Sequence, residues 1–121
     1  MTRRLLVALI FAACALATVD AWAHAFLDHA DPAVGSTVPA SPATLRIWFT
    51  QELEPAFSTV TVTDASGARV DDGDVKVDAK DQTLMQVSLK KLPPGTYTVK
   101  WRVVSVDTHT TDGDFTFTVG G

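Results

Sequence analysis

Apolar and polar residues alternate at every second position over much of the chain. The alternating segments are residues 45–49, 60–62, 85–89, 97–103 and 115–119, and they are rich in β-branched and aromatic residues. Successive side chains of a strand point to opposite faces, so this pattern predicts strands with one buried face. No run of about ten residues shows the period of an amphipathic helix.

Turn-forming residues separate these segments. Residues 64–67, 71–74 and 92–95 combine Asp, Ser, Gly and Pro, which favour tight turns. Short strands joined by turns are typical of antiparallel sandwiches and barrels. The sequence therefore predicts an all-β fold, an immunoglobulin-like sandwich or Greek-key β-barrel of about seven antiparallel strands.

The first residues differ in character from the rest of the chain. Arg3 and Arg4 precede an apolar run over residues 5–18, and Ala21-Trp22-Ala23 forms a small-x-small cleavage pattern. This arrangement predicts a signal peptide at residues 1–23, a mature domain at residues 24–121 and export to the periplasm. Cleavage after Ala25 is an alternative, because Ala23-His24-Ala25 has the same pattern.

Composition narrows the classes of function. A chain of 121 residues fits one domain, and a net charge of −4 argues against binding nucleic acid or anionic lipid. The single cysteine, Cys14, lies in the predicted signal segment, so the mature domain has neither a disulfide nor a thiolate metal site. Acylation at Cys14, which would make a lipoprotein, is the less favoured alternative.

Three side chains make a metal site the leading hypothesis. After cleavage at Ala23, His24 would offer its α-amine and its imidazole to the same ion. Asp107 and His109 are two residues apart, so on an extended segment they project to the same side, about 6.6 Å apart along the chain. Together these nitrogen and oxygen donors suit Cu(II), with Zn(II) as the competitor. Asp-x-His alone is a weak signal.

Three other residues are weaker candidates. His29 is five positions from His24, so on a regular strand the two would face opposite ways. A surface or hydrogen-bonded role for His29 is therefore favoured over a supplementary ligand. Asp112 and Asp114 could accept a hydrogen bond from a ligand imidazole, but a turn around Gly113 is slightly favoured.

Several motifs together resemble the CopC family of periplasmic copper-resistance proteins. They are His24-Ala25-Phe26-Leu27 with residues 31–36, the strand at residues 45–49, and residues 103–109 with 113–117. The resemblance implies a Cu(II) site formed by His24, Asp107 and His109. It also implies sequestration of copper or its delivery to an inner-membrane transporter of the CopD type. The mature chain has only Met85 as a thioether, so no separate Cu(I) site is expected.

Two other classes of function remain as alternatives. An N-terminal histidine brace also occurs in copper mono-oxygenases, but the chain is short for such an enzyme and Asp107 would occupy a position that oxygen needs. A structural or adhesion sandwich without metal would follow if cleavage removed His24. The leading prediction is a monomeric copper-binding protein that is not an enzyme.

Overall fold

The computed structural model describes residues 25–121. Eight strands make up the fold: β1 (Leu27–Asp31), β2 (Thr37–Val38), β3 (Thr44–Phe49), β4 (Thr59–Thr63), β5 (Lys76–Val77), β6 (Leu84–Ser88), β7 (Gly95–Val104) and β8 (Thr110–Val119). A single 3₁₀ turn at Pro55–Phe57 is the helical element of this part of the chain. Within residues 25–121, no helix has the length and apolar character needed to cross a membrane.

The strands form two four-stranded sheets. One sheet has the order β1-β3-β6-β5 and the other has the order β2-β8-β7-β4. Every pair is antiparallel except β2 and β8, which run parallel. The predicted all-β sandwich is therefore confirmed. Three strands lie outside the five alternating segments: β1, whose register is irregular, and β2 and β5, which have two residues each and are too short to show alternation.

The core lies between the sheets and follows the alternation in the sequence. In all five alternating segments the apolar residues of one face are buried, and the intervening residues are half-buried or exposed. The buried set includes Leu45, Ile47, Phe49, Val60, Val62, Met85, Val87, Tyr97, Val99, Trp101, Val103, Phe115, Phe117 and Val119. Trp101 of β7 meets Phe49 of β3 edge to face, with ring centroids 5.1 Å apart, so the aromatic rings join the two sheets.

A long hairpin made of β7 and β8 carries Asp107 and His109 in its connecting loop. The two strands pair without interruption from Gly95 opposite Val119 to Val104 opposite Thr110. Only residues 105–109 connect them, so Asp107 and His109 lie at one end of the sandwich. The predicted turn around Gly113 is wrong, because Gly113 pairs with Trp101 inside the hairpin.

Strand β1 is irregular where it begins. Its register against β3 shifts between Leu27 and His29, as in a β-bulge. Ala25 and Ala30 are five residues apart, yet both are buried in the core. Regular alternation is therefore broken within residues 25–30, and the relative orientation of His24 and His29 stays a prediction because His24 lies outside the described residues.

Candidate metal site

The loop between β7 and β8 is a compact turn fixed at its base by Ser105. The Ser105 amide donates to the carbonyl of His109 over 2.9 Å, and the Thr108 amide donates to the carbonyl of Ser105 over 2.8 Å. The Val106 amide, within the turn, donates to the carbonyl of Glu52 outside it over 3.0 Å. These backbone bonds hold the loop against the segment that follows β3.

The turn brings Asp107 and His109 together. Asp107 Oδ1 and His109 Nδ1 are 3.4 Å apart, and about half of each side chain is exposed. The expected proximity is present, but the expected extended conformation is wrong, because a turn at residues 106–108 produces the contact instead. Both groups can reach an ion in solvent and are metal donors by chemistry.

Ser105 stabilises the ionised form of the Asp107 carboxylate. The Ser105 side chain is buried, and its hydroxyl donates a short hydrogen bond to Asp107 Oδ1. This bond, helped by His109 and opposed by partial desolvation, lowers the pKa of Asp107 below its ordinary value. An aspartate is already ionised at neutral pH, and the lowered pKa extends the ionised form, which is the metal-binding form, toward lower pH. This role was not predicted from the sequence, because the turn that brings the Ser105 hydroxyl to Asp107 is seen only in the folded chain.

Thr108 adopts an unusual backbone conformation between the two donors. Its φ is 72°, in the left-handed region, and it is the one residue other than glycine with positive φ in the described chain. A β-branched residue rarely occupies this region because its side chain crowds the backbone. The Thr108 hydroxyl donates to the carbonyl of Asp107 over 2.6 Å, which fixes the turn locally.

The start of the described chain lies beside this loop. Ala25 is fully buried, and its carbonyl accepts a hydrogen bond of 2.5 Å from the Thr111 hydroxyl, two residues after His109. His24, the predicted third ligand, lies outside the described residues. Within residues 25–121, no three His, Cys, Asp or Glu side chains are grouped so that they could hold a metal ion by themselves.

His29 lies on the outer face of the other sheet. Its ring stacks on Trp48, with centroids 4.4 Å apart and planes 7° from parallel. Its Nδ1 atom is 2.7 Å from Asp28 Oδ2. These contacts give His29 the surface and hydrogen-bonded environment that the sequence favoured, while its relation to a bound metal stays a prediction.

Asp112 and Asp114 occupy register positions on β8. Asp112 is opposite Arg102 and Asp114 is opposite Lys100, and all four side chains are exposed. These positions give each carboxylate an oppositely charged neighbour across the hairpin. Their proposed hydrogen bonds to a ligand imidazole stay a prediction.

A family model for the CopC domain matches residues 27–120, nearly all of the described chain. The chain belongs to the CopC family. YobA of Escherichia coli K12 is 39% identical over 118 residues, which cover 97% of this chain and 95% of YobA. Copper resistance protein C of Xanthomonas campestris pv. juglandis is 34% identical over 123 residues, which cover 97% of this chain and 96% of that protein.

Two further matches extend the comparison with CopC proteins. The structure of CopC from Methylosinus trichosporium OB3b superposes with a TM-score of 0.76 and 35% identity, covering 80% of this chain and 94% of that one. The copper transport protein CutJ of Bacillus subtilis is 32% identical over 100 residues, which are 82% of this chain but only 18% of CutJ. The CopC-like part of CutJ is thus joined to a much longer polypeptide.

Membership in the CopC family confirms several expectations from the sequence. Proteins of this family bind copper and are not enzymes. Copper binding without catalysis is therefore the general function implied for this chain, and the mono-oxygenase alternative is set aside. The close match to a solved CopC structure likewise confirms the predicted type of sandwich.

Proposed function

We propose that this protein binds one Cu(II) ion in the periplasm through His24, Asp107 and His109. The observation that carries the proposal is the 3.4 Å contact between Asp107 and His109, beside the chain segment that follows His24. His24 would contribute its α-amine and imidazole, and the other two residues an imidazole and a carboxylate. A set of three nitrogen donors and one oxygen donor suits the tetragonal preference of Cu(II).

The position of Ala25 supports cleavage after Ala23. Ala25 is fully buried and belongs to the hydrophobic core. Cleavage after Ala25 would remove this residue together with His24, and would leave the Thr111 hydroxyl without its carbonyl acceptor. The intact mass of the exported protein tests this directly, and a mass beginning at Phe26 would contradict the proposed site.

The buried position of Met85 favours a single type of copper site. Met85 is the sole methionine after residue 1, and its side chain is fully enclosed in the core. Cu(I) prefers soft thioether or thiolate ligands, which residues 25–121 do not present at their surface. Metal that reaches the proposed site is therefore expected to be held as Cu(II).

Electron paramagnetic resonance of the copper-loaded protein tests the ligand set. Protein beginning at His24 is compared with protein carrying one extra residue before His24, and with the H109Q variant. The native start is expected to bind one Cu(II) with a nitrogen-rich tetragonal spectrum, and both changes should weaken binding and alter the spectrum. H29Q is the matched control and should leave the spectrum unchanged. Identical spectra for native and extended protein would overturn the proposal.

Delivery of copper to a membrane transporter is the second part of the proposed function. CutJ, which combines a similar segment with a much longer chain, supports a transport role for such domains. Phe26 and Val106 flank the proposed ligands, and each remains 47% exposed. Both are linked by backbone bonds to residues 50–52, so they lie on the same end of the sandwich. These two residues form an exposed apolar rim, and a rim of this kind suits transient docking of a partner protein.

A transfer experiment tests delivery separately from binding. F26S and V106S are expected to keep copper affinity within about twofold, because neither side chain is a proposed donor. Transfer to membrane vesicles that contain a CopD-type transporter should slow by about tenfold if the rim docks there. V34S, at an equally exposed valine away from the rim, is the control. Transfer that is unaffected by either rim variant would leave sequestration as the function.

A further inference from the structure

One peptide group at the start of the described chain is held from both sides by threonine hydroxyls. The carbonyl of Ala25 accepts from Thr111 Oγ1 over 2.5 Å, and the amide of Phe26 donates to Thr50 Oγ1 over 3.0 Å. Both groups belong to the same planar peptide unit, in which C=O and N–H point in opposite directions. The Thr50 amide also donates to the carbonyl of Phe26 over 2.8 Å.

The two threonines come from different sheets. Thr111 belongs to β8, where it pairs with the buried Val103, and Thr50 directly follows β3 of the other sheet. The peptide between Ala25 and Phe26 therefore bridges the sheets at the end that carries Asp107 and His109. Backbone pairing alone would not fix this peptide, because β1 begins only at Leu27.

We propose that Thr50 and Thr111 are positioning residues for copper, because they fix the peptide from which the terminal His24 extends. The inference rests on the proposed function, in which the α-amine of His24 is a ligand. The two threonine hydroxyls, called the clamp from here on, hold the peptide plane, and the Ala25 side chain is buried. Only two freely rotating backbone torsions then separate the clamp from the α-amine of His24: φ of Ala25 and ψ of His24. Neither threonine touches the metal in this arrangement, so each acts through the backbone.

The expected size of the effect follows from backbone entropy. Without the clamp, about one more residue beside His24 would be free in the metal-free protein, and copper binding would have to order it. Ordering one residue corresponds to about a 5- to 30-fold change in an equilibrium constant. Thr111→Val keeps the shape of the side chain but removes the hydroxyl, so it should lower Cu(II) affinity by about this factor. Thr111→Ser keeps the hydroxyl and should restore most of the loss.

A double-mutant cycle separates positioning from a general structural role. Cu(II) affinity is measured by chelator competition for wild type and T111V, each beginning at His24 and each carrying one extra residue before it. In the extended protein the α-amine is already displaced, so T111V should change affinity by less than about twofold. T50V and T50S give an independent repeat at an exposed position, and circular dichroism checks that every variant is folded.

Each outcome of the cycle has a defined meaning. A loss with T111V that appears only with the native start, and is reversed by T111S, supports the clamp. An equal loss in both backgrounds overturns it, because the hydroxyl would then act on the fold in general. No loss in the native-start protein also overturns the clamp while leaving the copper site intact. If wild type and extended protein bind copper equally, the proposed function itself fails and the clamp fails with it.

Discussion

At the residue scale, Thr108 shows how the loop is shaped around its two donors. Its left-handed backbone turns the chain between Asp107 and His109, which are 3.4 Å apart as a result. A residue with a branched side chain in this region costs about 1–3 kcal/mol relative to an unstrained conformation. The flanking hydrogen bonds of Ser105 and Thr108 hold the turn against that cost.

Glycine at position 108 should therefore give a more stable protein than alanine. Both variants lose the Thr108 hydroxyl and its hydrogen bond to the Asp107 carbonyl, so comparing them isolates the effect of a Cβ atom at positive φ. Glycine avoids the steric cost, although it gives up about 0.5–1 kcal/mol through the greater freedom of the unfolded chain. T108G is expected to be more stable than T108A by about 0.5–2 kcal/mol, measured by chemical denaturation. Equal or lower stability of T108G would show that the turn is unstrained.

In the proposed site, Ser105 should influence how strongly acid competes with copper. Its hydrogen bond lowers the pKa of Asp107, and a carboxylate binds metal only when it is deprotonated. S105A should raise that pKa toward its ordinary value, so protons should displace copper at a higher pH than in wild type. The pH at which half of the copper is released is measured by following tryptophan fluorescence between pH 7 and 3.

A second serine–aspartate pair provides a matched control for Ser105. Ser88 donates to Asp74 over 2.6 Å and lowers the pKa of that carboxyl in the same way, but far from the proposed site. S88A should leave the midpoint of copper release unchanged. Equal midpoints for S105A and wild type would mean that Asp107 does not govern release.

At the element scale, β8 depends on one glycine in its centre. Gly113 lies opposite Trp101, and a Cβ atom added there would be 2.5 and 2.9 Å from atoms of the indole ring. The ring is buried and packs against Phe49, so it has little room to move. Gly113 thus allows β8 to pass beside a large aromatic side chain that joins the two sheets.

G113A should destabilise the sandwich by about 1–3 kcal/mol, because the added methyl group overpacks the core against Trp101. Thermal unfolding monitored by circular dichroism measures the change. Gly120 offers a matched control, since a Cβ atom there would make only ordinary contacts, 3.6 Å from Thr37 and Val38. G120A should change stability by less than about 0.5 kcal/mol. Equal effects of the two substitutions would contradict this packing argument.

Alternation in the sequence was sufficient to predict the strands that bury one face. Residues 45–49 and 97–103 are strands because their apolar positions must face the core. The same argument failed for β1, where a bulge breaks the alternation, and for β2 and β5, whose pairing depends on neighbouring strands. The proximity of Asp107 and His109 was predictable from their spacing, but the turn that produces their contact was not. The contact of Ala25 with Thr111 was not predictable either, because only the folded chain brings residues 86 positions apart together.

At the scale of the whole molecule, acid stability depends on a buried carboxylate outside the loop that carries Asp107 and His109. The Asp71 side chain is fully buried and accepts hydrogen bonds from Arg69, from the Val62 amide and from the Gly73 amide. Burial by itself would raise its pKa, but these hydrogen bonds outweigh burial and lower it. Asp71 therefore contributes stability above about pH 4, which is lost as the pH falls through the lowered pKa of the folded state.

D71N should cost about 1–3 kcal/mol at pH 7, because the amide NH₂ group cannot accept the hydrogen bonds that Arg69 and Gly73 donate. The difference from wild type should shrink at pH 3, where the carboxylate of wild type begins to be protonated. Thermal unfolding at both pH values measures it. D72N is the control, since the Asp72–Lys90 pair is exposed and contributes at most about 1 kcal/mol. A difference that is the same at both pH values would refute the role of the Asp71 charge.

The bond between Thr111 and Ala25 has a consequence for when copper can be held. The length-dependent cost of closing a loop of 86 residues in a disordered chain is about 4 kcal/mol. The chain incurs this cost when it folds, before any metal binds. The proposed donors at the start of the chain and in the loop at residues 105–109 are therefore close together only in the folded protein. A chain still being exported, or one opened by a protease, would offer separate fragments of the donor set. Tight copper binding would therefore require the fully folded sandwich.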